Sequence, residues 1–102
     1  MTVRDIQSLI IQADPNAKHY YSATDGRNYT RWMEYERLPY GGDDLTDAGW
    51  RFQVDRYTKD EYDPIAEAIE QVLNENHIAY RYQVEYDQDD GYIRHLFDCE
   101  GV

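Results

Sequence analysis

Residues 48–73 constrain the fold more than any other part of the chain, because a strand pattern turns into a helix pattern within them. Apolar and polar side chains alternate over residues 48–57, as in a strand with one buried face. Asp63 and Pro64 then mark a helix start, since aspartate caps free N–H groups and proline lacks the N–H that the first helical position leaves unpaired. The apolar stripe that follows at helical spacing consists of Ile65, Ala66, Ile69, Val72 and Leu73.

Strand alternation and helical spacing also predict the other elements of the chain. An apolar stripe predicts a helix over residues 3–13, with Thr2 as its cap. Asp90-Gly91 predicts a hairpin between the last two strands. We predict strands over residues 18–22, 28–38, 48–57, 80–86 and 92–99.

This order predicts an α+β fold, with one domain over residues 1–102. We expect an antiparallel or mixed sheet of four to five strands with both helices packed on one face, in the order α-β-β-β-α-β-β. Two short helices cannot cover both faces of such a sheet. The strand side that carries Tyr80, Tyr82 and Tyr86 is therefore expected to be exposed unless another subunit covers it. Alternatively, the exposed side is the one that carries Trp32.

The charge balance limits the classes of partner. The chain has 21 Asp and Glu against 10 Lys and Arg, a formal net charge of -11, and its basic residues are spread out. Conventional nucleic-acid binding needs clustered cations, so we expect no sequence-specific nucleic-acid binding, and the charge opposes adhesion to anionic membranes. Eleven tyrosines against two phenylalanines favour half-buried sheet faces and contact surfaces. An ordinary acidic cytoplasmic protein would show the same balance.

Targeting and redox features are few. No apolar run approaches the roughly 20 residues of a membrane helix, and the N-terminus lacks the pattern of a signal peptide. We therefore expect a cytoplasmic protein, at least at synthesis, that does not enter the membrane. Cys99 is the single cysteine, so an internal disulfide is excluded.

The residues that commonly bind metals do not converge in the predicted fold. His95 and Cys99 share a strand face but lie about 13 Å apart at the rise of a strand, too far for one ion. His19 and His77 are isolated. The acidic run at residues 87–91 resembles a calcium loop in composition only, and a hairpin turn explains it better. We predict no metal site and no cofactor.

Catalytic motifs are missing as well. Adjacent acids such as Asp43 with Asp44 carry no information in a chain with this many carboxylates. No glycine-rich phosphate loop, nucleophile elbow or HExxH helix occurs, and no base is arranged beside Cys99. We therefore predict no catalytic residues and no enzyme activity.

Several short patches from residue 50 onward carry a resemblance to a known family. They are Val54, Tyr57, Thr58 and Lys59 at the strand exit, Asp63-Pro64 at the hinge, the stripe Ile65, Ile69 and Leu73, and Tyr86 before the acidic turn. Together they resemble the tail terminator (tail-completion) proteins of long, non-contractile-tailed bacteriophages and their prophages. The likeness covers about half of the chain.

The resemblance implies a structural virion protein. Such a protein would form a ring, usually of six copies, on the last ring of the major tail tube protein, end tube growth, and present the surface that joins the head. Its partners would be further copies of itself, the tail tube protein and a head-completion or connector protein. It would be found in the host bacterial cytoplasm during assembly and then in the virion tail, with DNA passing through the ring.

For this reading we assign contact roles only. The loop from Leu38 to Leu45 is the predicted contact with tube or head, and Trp32, Tyr80 and Tyr82 are the predicted subunit contacts. Within the loop the selected residues are Leu38, Pro39, Tyr40, Asp43, Asp44 and Leu45.

The alternative is a small acidic phage protein that mimics DNA and inhibits a basic host protein. Such a mimic would stay a monomer or dimer and bind with steep salt dependence, whereas a terminator would form rings and cap tail tubes. The acids of this chain lie in turns and on the back of a helix, which is the ordinary solvated pattern. A small enzyme subunit is a third possibility, disfavoured by the missing motifs.

Overall fold

The computed structural model describes residues 1–38 and 49–102. It has an α+β fold, with a five-stranded mixed sheet and two helices in the predicted order, so the predicted fold class is confirmed. The elements are α1 (Val3–Ile10), β1 (Lys18–His19), β2 (Tyr29–Leu38), β3 (Gly49–Thr58), α2 (Pro64–Glu75), β4 (Ala79–Tyr86) and β5 (Ile93–Gly101).

The strand order in the sheet is β1-β2-β3-β5-β4. Only β1 pairs in parallel, with β2, and every other neighbouring pair is antiparallel. Because β3 and β4 are both antiparallel to β5, they run in the same direction, and α2 links them across the inserted strand. This topology leaves β4 at one edge of the sheet and the short β1, beside β2, at the other.

Local signals set the helix starts. Thr2 and Asp5 form a capping box: the Asp5 amide donates to Thr2 Oγ1 at 3.1 Å and the Thr2 amide donates to Asp5 Oδ2 at 2.7 Å. At α2, the Ala66 amide donates to Asp63 Oδ2 at 3.2 Å, and Pro64 occupies the first position. Both caps lie where the sequence predicts them.

Two elements are shorter than predicted. The first helix ends at Ile10 rather than at Ala13, and the residues after it form a turn. The first strand covers Lys18–His19 rather than residues 18–22. Tyr20 has a φ of 54°, in the left-handed region, which ends the extended conformation there.

The hairpin between β4 and β5 is present as predicted. Gly91 has a φ of 77°, and its amide donates to the Asp87 carbonyl at 2.9 Å. The Asp87 amide donates to the Tyr92 carbonyl at 3.0 Å and closes the loop. Glycine is needed at position 91 because other residues adopt this backbone conformation at a cost.

The core lies between the two helices and one face of the sheet, here called the helix-covered face. Cys99 belongs to this core, and burial raises the pKa of its thiol, so the thiol stays un-ionised. The largest core side chains are Trp32, Phe52, Phe97, Ile6, Ile10, Ile69, Leu73 and Val54.

The two sides that the sequence offered as exposed are one and the same face, on which Tyr82 and Tyr86 are exposed and Trp32 is not. Trp32 is only 1% exposed, and its ring stacks on His19 at 3.9 Å between centroids. Tyr80 and Tyr82 lie on the same helix-covered face, because they pair in register with core residues of β5. The face without helices, here called the open face, carries polar side chains instead.

Candidate interaction surfaces

A buried carboxylate organises the open face. Asp55 is fully buried there, although neither of the two described helices lies over it. Its Oδ2 accepts from Arg31 Nε at 3.0 Å, its Oδ1 accepts from Arg94 Nη2 at 3.2 Å, and both oxygens accept from Gln53 Nε2. Two guanidinium groups therefore offset the cost of removing this carboxylate from water.

Aromatic rings fix the same cluster in place. Tyr57 lies between the two guanidiniums, with the Cζ atoms of Arg31 and Arg94 at 5.1 Å and 5.6 Å from its ring centroid. Its hydroxyl accepts from Arg31 Nη2 at 2.9 Å. Tyr29 stacks on it at 4.7 Å, and Tyr92 meets it edge-on at 5.8 Å. Such contacts hold both arginines in one geometry.

The open face is close to neutral. By strand register it carries four arginines against five acids, so nearly all of the net charge of -11 lies elsewhere. At its far end Tyr35 donates to Asp98 Oδ1, and partial burial together with this hydrogen bond raises the pKa of Tyr35 to about 12. The charged groups are Arg31, Arg51, Arg81, Arg94, Glu36, Asp55, Glu85, Asp98 and Glu100.

Exposed apolar side chains gather at the edge strand β4. Along the strand, Tyr82 is 43%, Val84 53% and Tyr86 65% exposed, and all three point to the helix-covered face. Tyr62, which is 83% exposed, lines one shallow depression with Tyr82. We call these four residues the edge patch. Contiguous apolar surface of this kind marks a site of protein contact.

Helix α2 lies beside the first part of β4 only. The Tyr80 hydroxyl donates to Asn74 Oδ1 at 3.1 Å, and Tyr82 lines a depression together with Glu67 and Glu70. Tyr82 also stacks on Phe97 at 4.7 Å, and its remaining surface faces outward.

A histidine lies behind the edge patch. His95 Nδ1 and the Tyr82 hydroxyl share a hydrogen bond of 2.6 Å, while His95 Nε2 is buried and has no hydrogen-bond partner among the described residues. Burial lowers the pKa of His95, with Asp63 opposing and Arg56 reinforcing that direction. The ring is therefore neutral at neutral pH.

The opposite edge of the sheet, formed by β1 and β2, differs from the β4 edge. β1 pairs only with Arg31 and Trp32, so no described strand lies on the outer side of β2 beyond that point. A bulge interrupts β2 between Glu34 and Glu36, and the Arg37 guanidinium lies 5.9 Å from the Trp50 ring centroid. The sheet thus offers two unlike edges.

Some of the predicted contact residues are exposed in the structure and others are buried. Tyr82 is exposed and Tyr80 is half-buried at the margin of the edge patch. Trp32 and Leu38 are buried by their own chain, Leu38 beside Gly49, so their assignment as surface contacts is corrected. The remaining selected residues, Pro39, Tyr40, Asp43, Asp44 and Leu45, lie outside the described residues.

Sequence reasoning selected neither Val84 nor Tyr62 as a contact residue, and it missed the role of Asp55. The alternation of β4 did place Tyr82, Val84 and Tyr86 on one side, which is the signal that identifies the patch. Nothing local to Asp55 distinguishes it from the other polar residues of its strand, because the two arginines that bury it come from other strands.

Two comparisons with known proteins give no match. A scan against protein-family models finds no match for this chain, and a search of curated proteins finds none either. Within residues 1–38 and 49–102, neither helix is long and apolar enough to cross a bilayer. Over the same two ranges, no three His, Cys, Asp or Glu side chains are grouped to hold a metal ion.

Proposed function

We propose that the protein is a tail terminator of a bacteriophage or prophage, which caps the tail tube as a ring, ends tube growth and forms the surface that joins the head. The sequence patches from residue 50 onward support this proposal, together with the surfaces of the sheet. We further propose that it has no catalytic activity and needs no cofactor.

The edge patch is the observation that carries the proposal. An unpaired edge strand with exposed apolar side chains is a template for pairing with another chain, and proteins that stay monomeric usually blunt it with lysine, proline or a bulge. β4 has no proline and no lysine, and its register with β5 is continuous. Tyr86 and Val84, both more than half exposed, therefore suit a permanent contact with a neighbouring subunit.

The two unlike edges suit a ring rather than a symmetric dimer. When one surface meets a different surface on the next copy, the contact is heterologous, and it closes into a ring if the rotation allows. The edge patch carries exposed tyrosine and valine side chains, whereas the outer edge of β2 carries the charged residues Glu34, Glu36 and Arg37. The two edges therefore differ in chemistry, as a heterologous contact between successive copies requires. A ring of six follows from the family resemblance.

The distribution of charge fits a ring around DNA. Six of the charged groups on the open face form ion pairs with one another and the face is close to neutral, so it can approach another protein at little electrostatic cost. The excess acids elsewhere would keep DNA from adhering to the ring as it passes through. The tail tube protein and a head-completion protein are the proposed contacts of the two ring faces.

Electron microscopy of tails assembled with and without this protein tests the proposal. We expect tubes that overrun their normal length when the protein is missing, and tubes of uniform length, each ending in a ring, when it is supplied. Normal tube lengths in its absence would refute the tail terminator function. If the purified protein instead stays monomeric and binds a basic protein with steep salt dependence, the DNA-mimic alternative is favoured.

A further inference from the structure

A cleft beside the start of β2 concentrates cations in an otherwise acidic chain. It has a volume of about 560 Å³, and Lys18, Arg27 and Arg56 line it. Three of the ten Lys and Arg residues of the chain therefore share one cleft, where Asp14 is the only acidic lining residue among those described. We call it the basic cleft. Outside the lining, Asp25 pairs with Arg27 and Asp63 pairs with Arg56.

Arg56 lies almost fully buried within this lining. Its Nε donates to Asp63 Oδ2 at 2.8 Å, and its Nη1 donates to Thr30 Oγ1 at 3.3 Å. Its Nη2 donates to Asp63 Oδ1 at 3.5 Å, and Asp14 Oδ2 lies 3.7 Å from Nη1. A guanidinium has five N–H groups, so one N–H of Nη2 is left over, and the second N–H of Nη1 has only the Asp14 carboxylate near it. Asp63 and Thr30 thus fix the orientation of Arg56 without using all of its donors.

The two outer cations also have unused donors. The Lys18 side chain forms no hydrogen bond or ion pair with any residue in the described ranges, although the chain has 21 acids. Arg27 binds Asp25 through Nε and Nη2, and its Nη1 forms no hydrogen bond within the described part of the chain. Lysine and arginine side chains are the usual phosphate ligands of proteins.

Polar and aromatic side chains complete the walls. Tyr21 and Tyr29 both line the cleft and meet edge to face at 5.9 Å. Thr30 accepts from Arg56 and still has its own hydroxyl proton to donate. The volume falls in the range of small-molecule sites and exceeds what one phosphate group fills.

We propose that the basic cleft binds the phosphate group of a small molecule, with Lys18, Arg27 and Arg56 as the phosphate-binding residues. Asp14 would accept a hydrogen bond from a hydroxyl or amino group of the same ligand. A polyanion such as DNA is disfavoured, because the chain carries a net charge of -11, which repels a long phosphate backbone. This proposal is independent of the proposed role in tail assembly.

Titration followed by amide NMR tests this proposal with two probes, inorganic phosphate and adenosine 5′-monophosphate, at constant ionic strength. We expect saturable shifts at residues that line the cleft, with both probes. Tighter binding of the nucleotide would identify a phosphate monoester as the ligand class, and equal binding would identify free phosphate. Either result supports the phosphate site.

Charge-matched variants make the test specific. Lys18→Ala and Arg27→Ala each remove one exposed cation and should weaken binding about fivefold to tenfold. Arg4→Ala changes the net charge equally on the exposed side of α1, away from the residues that line the cleft, and should leave the affinity unchanged. The proposal is overturned if neither probe shifts the cleft residues at about 20 mM, roughly twenty times the Kd of a weak ligand that binds at about 1 mM. It is equally overturned if Arg4→Ala weakens binding as much as the cleft variants.

Discussion

Arg94 Nη2 donates to Asp55 Oδ1 at 3.2 Å and helps to keep a carboxylate fully buried on a sheet face that neither described helix covers. Arg31 completes the arrangement from the other side. The contact joins β5 to β3, so the stability of the sheet depends on it as well as on the hydrophobic core.

Replacing Asp55 by asparagine should lower the free energy of unfolding by about 2–4 kcal/mol, because two guanidiniums lose their shared counter-charge. Urea denaturation measures this loss. Glu85→Gln is the control, since it removes an exposed partner of Arg94 at 3.5 Å and should cost less than about 1 kcal/mol. Equal losses for the two variants would show that burial of Asp55 is unimportant.

Trp32→Ala should cost about 3–5 kcal/mol of unfolding free energy, because it empties a large volume inside the core. Tyr62→Ala, at an exposed position of the edge patch, should change stability by about 0.5 kcal/mol or less. Thermal or urea unfolding compares them. If Trp32→Ala left stability intact and abolished only self-association, the original assignment of Trp32 to an interface would be restored.

Asp63→Ala should cost about 2–4 kcal/mol, because Asp63 caps α2 and also pairs with the buried Arg56. Thr2→Ala removes a cap of the same type from α1 at an exposed position and should cost about 1 kcal/mol. Chemical denaturation gives the unfolding free energy of both variants, and the difference between their losses measures the contribution of the buried ion pair. Identical losses would assign the whole effect of Asp63 to capping.

Stability should fall as the pH drops from 7.5 to 5.5, in part through His95. Its folded-state pKa is lowered, so the unfolded chain takes up the proton first, and this contribution is complete above the ordinary pKa of about 6.5 and lost as the pH falls toward the folded-state pKa. The protonated ring would also leave its Nε2 N–H buried without an acceptor in the described part of the chain. In urea denaturation at both pH values, His95→Gln should show a smaller pH dependence than the native protein. An unchanged dependence would contradict this role.

Tyr86→Lys should prevent ring formation on tail tubes, because it places a charge within the edge patch. Gln7→Lys adds the same charge at an exposed position of α1, outside the edge patch and the open face, and should still allow rings to form. Negative-stain microscopy of tube ends scores both variants. Loss of rings with both, or with neither, would show that the edge patch is not the subunit contact.

Local chemistry explains why much of the fold is predictable. The alternation over residues 48–57 and the Asp63-Pro64 helix start depend on neighbours in sequence, and both appear as expected. The ends of α1 and β1 differ from the prediction because apolar spacing alone does not show where a turn begins. At β1 the left-handed conformation of Tyr20 decides the end of the strand.

The sequence by itself determined the element order, the fold class, the caps and the side of β4 that carries Tyr82, Val84 and Tyr86. Tertiary structure alone decided that Trp32 is enclosed, that Asp55 is buried by Arg31 and Arg94, and that Val84 and Tyr86 stay exposed on the edge strand. The physical reason is that period and capping are properties of adjacent residues. Burial and ion pairing depend on which distant strands become neighbours, and here β5 enters between β3 and β4.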